Sequence, residues 1–134
     1  MRMFFRRGEV PWEVVGTRHV EWVPMYDADE VLDIIRVNRA DTSIKFVHDI
    51  HELKDMRQAV QAARQLLIQH IQQKRYNTLL SEGWQVTILR KGNKHRVEVT
   101  YIGRAAYVSA KPRPHSSPPF LDVLDFYKRD ISSM

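Results

Sequence analysis

Alternating apolar and polar positions stand out in two runs, residues 84–88 and 97–101, on either side of a basic turn. Gly92 and Asn93 in this turn are a two-residue hairpin signal, because glycine adopts the positive φ that a primed turn requires. The register that follows places apolar residues opposite each other in three pairs: Ile88 with Val97, Val86 with Val99, and Trp84 with Tyr101. Since the three pairs share one face of the ribbon, we predict that this face is buried.

A second turn signal, Gly103-Arg104, follows the second run. With these two residues as a loop, the apolar pairs fall on the same face as before: Tyr101 with Ala106, Val99 with Val108, and Val97 with Ala110. The sequence therefore predicts a third strand and a three-stranded antiparallel meander.

Helical periodicity dominates the middle of the chain, from Asp49 to Glu82. Asp49 and Glu52 have the spacing of a capping box, and Gly83 supplies a C-terminal stop signal. Apolar residues recur at intervals of three and four along this segment: Ile50, Leu53, Met56, Val60, Ala63, Leu67 and Ile71. At 1.5 Å per residue such a helix is roughly 50 Å long, which exceeds what a small sheet covers. We therefore expect that its end packs on another subunit or that the helix breaks near Tyr76-Asn77.

Shorter patterns complete the predicted elements. Residues 14–23 and 43–47 have the composition of strands, and Asp27 is an N-cap signal for a short helix. A proline-rich segment, residues 112–119, precedes an amphipathic run over residues 120–127 that predicts a C-terminal helix.

These elements predict an α+β fold, in which a three-stranded antiparallel meander is covered by one long helix with flanking short helices. The predicted organisation is a basic N-terminal arm and a candidate strand in residues 1–26, an α+β core in residues 27–111, and a proline-rich linker with a C-terminal helix in residues 112–134. A chain of 134 residues is long enough for one domain with a hydrophobic core.

Basic charge is concentrated in the second part of the chain. Residues 1–53 contain 7 Lys/Arg and 10 Asp/Glu, whereas residues 54–134 contain 14 and 6, so the net charges are −3 and +8. This asymmetry indicates a surface for nucleic acid, an anionic membrane or an acidic protein. The candidate nucleic-acid-binding residues are the basic side chains of the hairpin and of one helix face: Arg90, Lys91, Lys94, His95, Arg96, Arg57, Arg64, Lys74 and Arg75.

No sequence motif points to catalysis or to a bound cofactor. The chain has no cysteine, no G-x-S-x-G elbow and neither of the glycine-rich phosphate loops. His48 and His51 are three positions apart, not four as in the H-E-x-x-H pattern of zinc proteases. We therefore expect no catalytic residues, no metal site and no cofactor.

Together these patterns favour a small, non-catalytic component of a ribonucleoprotein, ribosomal in type, which binds structured RNA through the hairpin and the basic helix face. Neighbouring proteins of the same assembly are the other expected partners. The alternative is an accessory structural subunit of a multi-protein or membrane-associated complex, whose basic tip meets an acidic protein or anionic lipid. The arginine-rich residues 1–7 lack the apolar region of a secretory signal, so we expect an intracellular location, with a mitochondrion or another organelle as the alternative.

Overall fold

Five strands form one antiparallel sheet in the computed structural model, which describes residues 11–27, 32–52, 54–109 and 117–126. The elements in chain order are β1 (Glu13–Pro24), β2 (Ile34–Val37), β3 (Thr42–Ile50), α1 (Lys54–Gln73), β4 (Thr78–Lys91), β5 (Lys94–Val108) and a 3-10 helix (Leu121–Phe126). The strands 14–23 and 43–47 that the sequence predicts are confirmed as parts of β1 and β3.

Strand β5 pairs with three of the other four strands of the sheet. It pairs with β4 along one side, and β1 pairs with the far side of β4. Because β5 is 15 residues long, both β3 and the four-residue β2 fit along its other side. The β4–β5 register confirms the sequence prediction in all three pairs: Ile88 with Val97, Val86 with Val99, and Trp84 with Tyr101.

Helix α1 packs on one face of this sheet and forms the core with it. Six ribbon side chains on that face have no exposed surface or almost none: Trp84, Val86, Ile88, Val97, Val99 and Tyr101. The helix contributes the apolar stripe that its periodicity predicts, with Met56, Val60, Ala63 and Leu67 buried against the sheet. Burial of these side chains is the main driving force for holding the helix on the sheet.

The predicted fold class, a three-stranded meander under one long helix with flanking short helices, is wrong. Gly103 and Arg104 do not form a turn, because β5 runs through them to Val108. Gly103 pairs with Thr42 on one side and with Glu82 on the other. A Cβ on Gly103 would lie 2.9 Å from the Ser81 carbonyl oxygen, so glycine serves close packing here and not chain reversal.

The helix is also shorter than predicted, and both of its ends differ. It stops at Gln73, because Arg75 takes the left-handed conformation with φ of 68°. The amide of Tyr76 bonds the Ile71 carbonyl at 3.0 Å and that of Arg75 bonds the Gln72 carbonyl at 3.0 Å. This is the Schellman pattern, formed with arginine where glycine is usual, so the break near Tyr76-Asn77 is the alternative that holds.

The helix start is fixed by Asp55, not by Asp49. The Asp55 carboxylate accepts hydrogen bonds from the backbone amides of His51 and Glu52, both at 3.0 Å. These two bonds lower the pKa of Asp55 below its ordinary value, since they favour the charged carboxylate. Asp49 lies instead within β3, where its side chain bonds Arg96.

The flanking helices are corrected as well. Where the sequence predicts a helix beginning at Asp27, the chain forms the strand β2 from Ile34; residues 28–31 lie outside the described residues. The predicted C-terminal helix is a 3-10 helix over Leu121–Phe126. Trp84 Nε1 donates to the Pro119 carbonyl at 2.9 Å and Leu124 is buried, which fixes this segment on the core. The basic arm and most of the proline-rich segment lie outside the described residues.

The face of the sheet opposite α1 is covered by no described element. Most of its strand residues are polar or charged, with Val47, Leu89 and Ile102 among the apolar exceptions, and opposite charges meet across the strands. Lys45 Nζ lies 2.8 Å from Glu98 Oε1, and Arg96 Nε lies 2.9 Å from Asp49 Oδ1. This face is therefore close to neutral in the middle, and unpaired positive charge on it lies toward the β4–β5 turn.

Candidate nucleic-acid interface

The end of the β4–β5 hairpin, which we call the tip (residues 91–94), carries two lysines side by side. Gly92 has φ of 63° and lets the chain reverse within two residues. Lys91 and Lys94 are consequently direct partners across the ribbon. Neither lysine forms an ion pair with another residue in the described part of the chain. Two like charges thus lie opposite each other with no neutralising group.

A pocket of about 650 Å³ opens beside the tip. The residues that line it are Trp12, Asp49, Ile50, His51, Lys91, Gly92, Asn93, Lys94, His95 and Arg96. Asp49 is the one carboxylate among them, and Arg96 already binds it. The pocket therefore carries an excess of positive charge, as an anion site requires.

Arg96 is held in a fixed position at the pocket wall. Its Nε donates to Asp49 Oδ1 at 2.9 Å, and its guanidinium carbon lies 4.2 Å from the centroid of the Trp12 ring. The hydrogen bond from Arg96 lowers the pKa of Asp49 below its ordinary value, so this carboxylate stays charged at neutral pH. Arg96 supplies a pre-oriented planar donor, whereas the two lysines supply mobile point charges.

His95 adds an unused polar atom next to the pocket. Its side chain is on the α1 side of β5, opposite Arg90 of β4. His95 Nε2 is buried and has no hydrogen-bond partner among the described residues. Because buried polar atoms are rarely left without a partner, an ordered water molecule is the expected partner of this nitrogen.

The nine candidate residues from the sequence do not form one surface. Lys91, Lys94, His95 and Arg96 converge on the pocket at the tip. The remaining five are elsewhere and have other contacts or positions: Arg90 pairs with Glu13 at 3.2 Å, Arg57 pairs with Asp122 at 2.9 Å, Arg64 is buried, and Lys74 and Arg75 lie exposed at the far end of α1. The expected basic helix face is therefore not continuous with the tip.

Arg64 belongs to a buried trio with Glu82 and Tyr101. Its Nε donates to Glu82 Oε1 at 2.6 Å and its Nη2 donates to Glu82 Oε2 at 3.2 Å. The Tyr101 hydroxyl donates to the same Oε1 at 2.5 Å. Burial lowers the pKa of Arg64, but the hydrogen bond and charge of Glu82 outweigh it and leave the pKa above its ordinary value. Burial, together with the Glu82 carboxylate, raises the pKa of Tyr101, so its proton stays in place.

The sequence patterns did not lead us to predict this buried trio, although the position of Arg64 contains a signal for it. Arg64 is four positions after Val60 and three before Leu67, which places it on the buried stripe of α1. A charged residue on such a stripe requires a buried partner. Sequence spacing could show that need, but the partner is 18 positions away in β4 and comes close only through the tertiary fold.

Neither a metal cluster nor a membrane-crossing helix occurs within the described ranges. No group of three or more His, Asp or Glu side chains there is arranged to hold a metal ion. His48 is on the α1 side of β3, opposite Val97, whereas His51 lies beyond the end of that strand. No helix in the same ranges is both long and apolar enough to span a bilayer.

Comparisons of the chain with known proteins give no match. No protein-family model, no curated protein and no solved structure matches the chain.

Proposed function

We propose that this protein is a non-catalytic, RNA-binding component of an intracellular ribonucleoprotein, ribosomal in type, and that it binds RNA phosphates at the hairpin tip. One observation carries the proposal: Lys91 and Lys94 are direct partners across the ribbon, and neither has a carboxylate partner among the described residues. Like charges directly opposite in a sheet are destabilising by about 0.2–1 kcal/mol. A phosphate bound between them removes that repulsion.

Arg96 supports the same ligand, because it provides a fixed guanidinium at the pocket wall. Contacts of this type act on the phosphate backbone, so they give affinity and orientation without reading base sequence. The protein in this proposal recognises RNA charge and shape, and it acts as a structural component.

The test is RNA affinity measured over a salt series. A fluorescein-labelled RNA hairpin is titrated with the full chain at 50 to 200 mM salt, and anisotropy gives Kd. In the double variant Lys91→Gln/Lys94→Gln we expect the slope of log K against log salt to flatten by about 2, or about 1 per lost phosphate contact. In Asp49→Asn we expect tighter binding, because the pocket loses its carboxylate and Arg96 is released.

A matched control separates the tip from overall charge. Lys74→Gln/Arg75→Asn also removes two positive charges, and asparagine tolerates the left-handed φ of residue 75. We expect this variant to keep most of the salt slope. Equal losses in the two double variants, or no RNA binding by the wild type at 50 mM salt, contradict the proposal. Binding to anionic vesicles in the absence of RNA binding would support a membrane-associated subunit instead.

A protein-only accessory subunit is the second candidate, favoured by one specific observation. At the far end of β5 from the tip, four large apolar side chains are exposed: Ile34, Ile35, Val37 and Tyr107. Exposed apolar groups that lie next to one another are typical of protein interaction surfaces.

A further inference from the structure

Strand β2 is an open edge with apolar side chains. It pairs with β5 on one side, and no other described strand pairs with its outer side. All four of its residues are exposed, and Ile35 keeps 61% of its surface in contact with solvent. Such an edge is a template for another strand unless it is protected.

The two other outer strands are more protected against pairing than β2. Strand β1 has two irregularities in its register, after Val14 and after Val20, and it ends at Pro24. Strand β3 carries the charged residues Lys45 and Asp49 on its exposed face. Bulges, proline and charge all disfavour the addition of a further strand. Strand β2 has one irregularity, between Ile34 and Arg36, and its one charged residue is cationic, so it is the outer strand that best accepts an acidic segment.

A pocket of about 660 Å³ lies beside β2, between the sheet and the end of α1. Its apolar walls come from Ile35, Tyr76 and Tyr107, and two arginines, Arg36 and Arg75, lie at its sides. No carboxylate lines it. The combination of aromatic walls with unneutralised positive charge suits an apolar side chain that has an acidic neighbour.

The walls of this pocket are held in place by the fold. Arg36 Nη2 donates to the Arg75 carbonyl at 2.7 Å, and its guanidinium carbon lies 4.9 Å from the centroid of the Tyr76 ring. The Asn77 side chain donates to the Val108 carbonyl at 2.9 Å and accepts from the Val108 amide at 3.0 Å. The loop after α1 is thereby fixed on the end of β5. A preformed pocket lowers the entropy lost on binding.

The charges around the pocket are complementary to an acid. Arg75 forms no ion pair within the described ranges. Arg36 uses one nitrogen to donate to the Arg75 carbonyl, which does not neutralise its positive charge. The nearest acidic residue before β2, Asp33, accepts a hydrogen bond from the Ser109 hydroxyl. An acidic side chain in a partner thus meets two guanidinium groups that lack a carboxylate.

We propose that β2 and this pocket bind an acidic linear segment of a partner protein, which adds to the sheet as a sixth strand. The backbone of the segment pairs with the outer side of β2. One of its apolar side chains enters the pocket between Tyr76 and Tyr107, and a neighbouring carboxylate binds Arg75. Strand addition of this type combines backbone affinity with specificity from alternate side chains.

The test uses a phage library of random octapeptides selected on the full chain. We expect the selected peptides to alternate acidic and apolar residues. In Ile35→Lys/Tyr107→Thr, affinity for a selected peptide, measured by anisotropy, is expected to fall at least about tenfold, because the apolar contacts are lost and a charge blocks the edge. Methylation of alternate backbone nitrogens in the peptide is expected to abolish binding, since those amides no longer donate.

The matched control lies on the opposite edge of the sheet. Val14→Lys/Trp22→Thr changes two residues that are 65% and 52% exposed, so it alters apolar surface to a similar degree. We expect it to bind the selected peptide as the wild type does. The proposal is overturned if the library yields no peptide or only basic ones, or if the two double variants lose affinity equally. It is also overturned if light scattering shows a dimer that Ile35→Lys/Tyr107→Thr dissociates, because the edge would then hold a second copy.

Discussion

The two ends of the β4–β5 ribbon differ in whether a carboxylate neutralises the cationic side chains found there. At one end, Glu82 and Tyr101 lie beneath α1 and satisfy Arg64, so a buried cation has a complete set of partners. At the other end, Lys91 and Lys94 lie opposite each other, and no acid of the described ranges pairs with them. The same ribbon thus contributes the Glu82 carboxylate, which neutralises a buried cation, and two lysines that are open to solvent or a ligand.

This difference shows that counting basic residues overstates a binding surface. Between residues 54 and 113 the chain has 12 Lys/Arg and 3 acids, which suggests a broadly basic surface. In the structure, five arginines of this segment are bound to carboxylates: Arg57, Arg64, Arg90, Arg96 and Arg104. Most of these acids lie outside the segment, in β1, β3 and the C-terminal part. Among the described residues of this segment, the charge available to a polyanion is therefore local: Lys74 and Arg75 lie at the end of α1, and Lys91 and Lys94 lie at the tip.

The strongest way to test the comparison is to remove the buried cation. Arg64→Met leaves the Glu82 carboxylate buried without its main partner, so we expect the free energy of unfolding to fall by about 3–5 kcal/mol. Urea denaturation followed by tryptophan fluorescence measures it. The control is Arg57→Ala, which breaks an exposed pair with Asp122 and is expected to change stability by no more than about 1 kcal/mol.

A triple variant tests whether the loss comes from the uncompensated charge. Arg64→Met/Glu82→Leu/Tyr101→Phe replaces the whole trio by apolar groups, and we expect it to recover most of the stability lost by Arg64→Met alone. If Arg64→Met and Arg57→Ala were equally mild, the trio would not be the stabilising element described here.

A smaller effect is expected from the third donor of the trio. Tyr101→Phe removes the hydroxyl that donates to Glu82 at 2.5 Å while it keeps the ring in the core. Hydrogen bonds to charged groups contribute about 1.5–3 kcal/mol, and we expect a loss of that size in urea denaturation. Tyr107→Phe is the matched control, since Tyr107 is 42% exposed, and its effect should be near zero. Equal effects at the two tyrosines would contradict the role given to the Tyr101 hydroxyl.

The smallest effect, with the opposite sign, is expected at the tip. Lys91→Glu turns the repulsion with Lys94 into attraction, so stability should rise by about 0.2–1 kcal/mol while RNA affinity falls. Lys45→Glu, in contrast, breaks the pair with Glu98 at 2.8 Å and creates repulsion, so stability should fall by a similar amount. A loss of stability in Lys91→Glu would mean that Lys91 has a structural partner after all.

Local sequence signals account for the parts of the fold in which neighbours in the chain are also neighbours in space. The Gly92-Asn93 turn and the three apolar pairs behind it were predicted correctly, because a two-residue loop fixes the register of its own strands. The stripe on α1 was predicted for the same reason, since a 3.6-residue period is a local property. Of the nine candidate site residues, four from the hairpin line one pocket, and their role in binding stays a prediction.

The predictions of secondary structure were wrong where one local sequence signal is compatible with more than one tertiary structure. Glycine at position 103 is a turn signal in the sequence, but in the fold it makes room for the Ser81 backbone beside it. Arginine at position 75 is not a helix stop signal in the sequence. Helix α1 nevertheless ends just before it, at Gln73, because the following loop is fixed on β5 through Asn77. The extended β5 then provides an edge on which residues 34–37 pair as a strand.

The sequence by itself therefore determined the hairpin, its register, its buried face and the apolar stripe of α1, because each depends on interactions over a few residues. Only the tertiary structure decided which positive charges are available. Arg64 is neutralised by a carboxylate 18 positions away, Arg96 by one 47 positions away and Arg90 by one 77 positions away. Such pairs form because the sheet brings distant strands together, and no local pattern encodes them. Lys91 and Lys94 lie beyond the last paired residues of β1 and β3, which are opposite Arg90 and His95, so the acids of those described strands do not reach them.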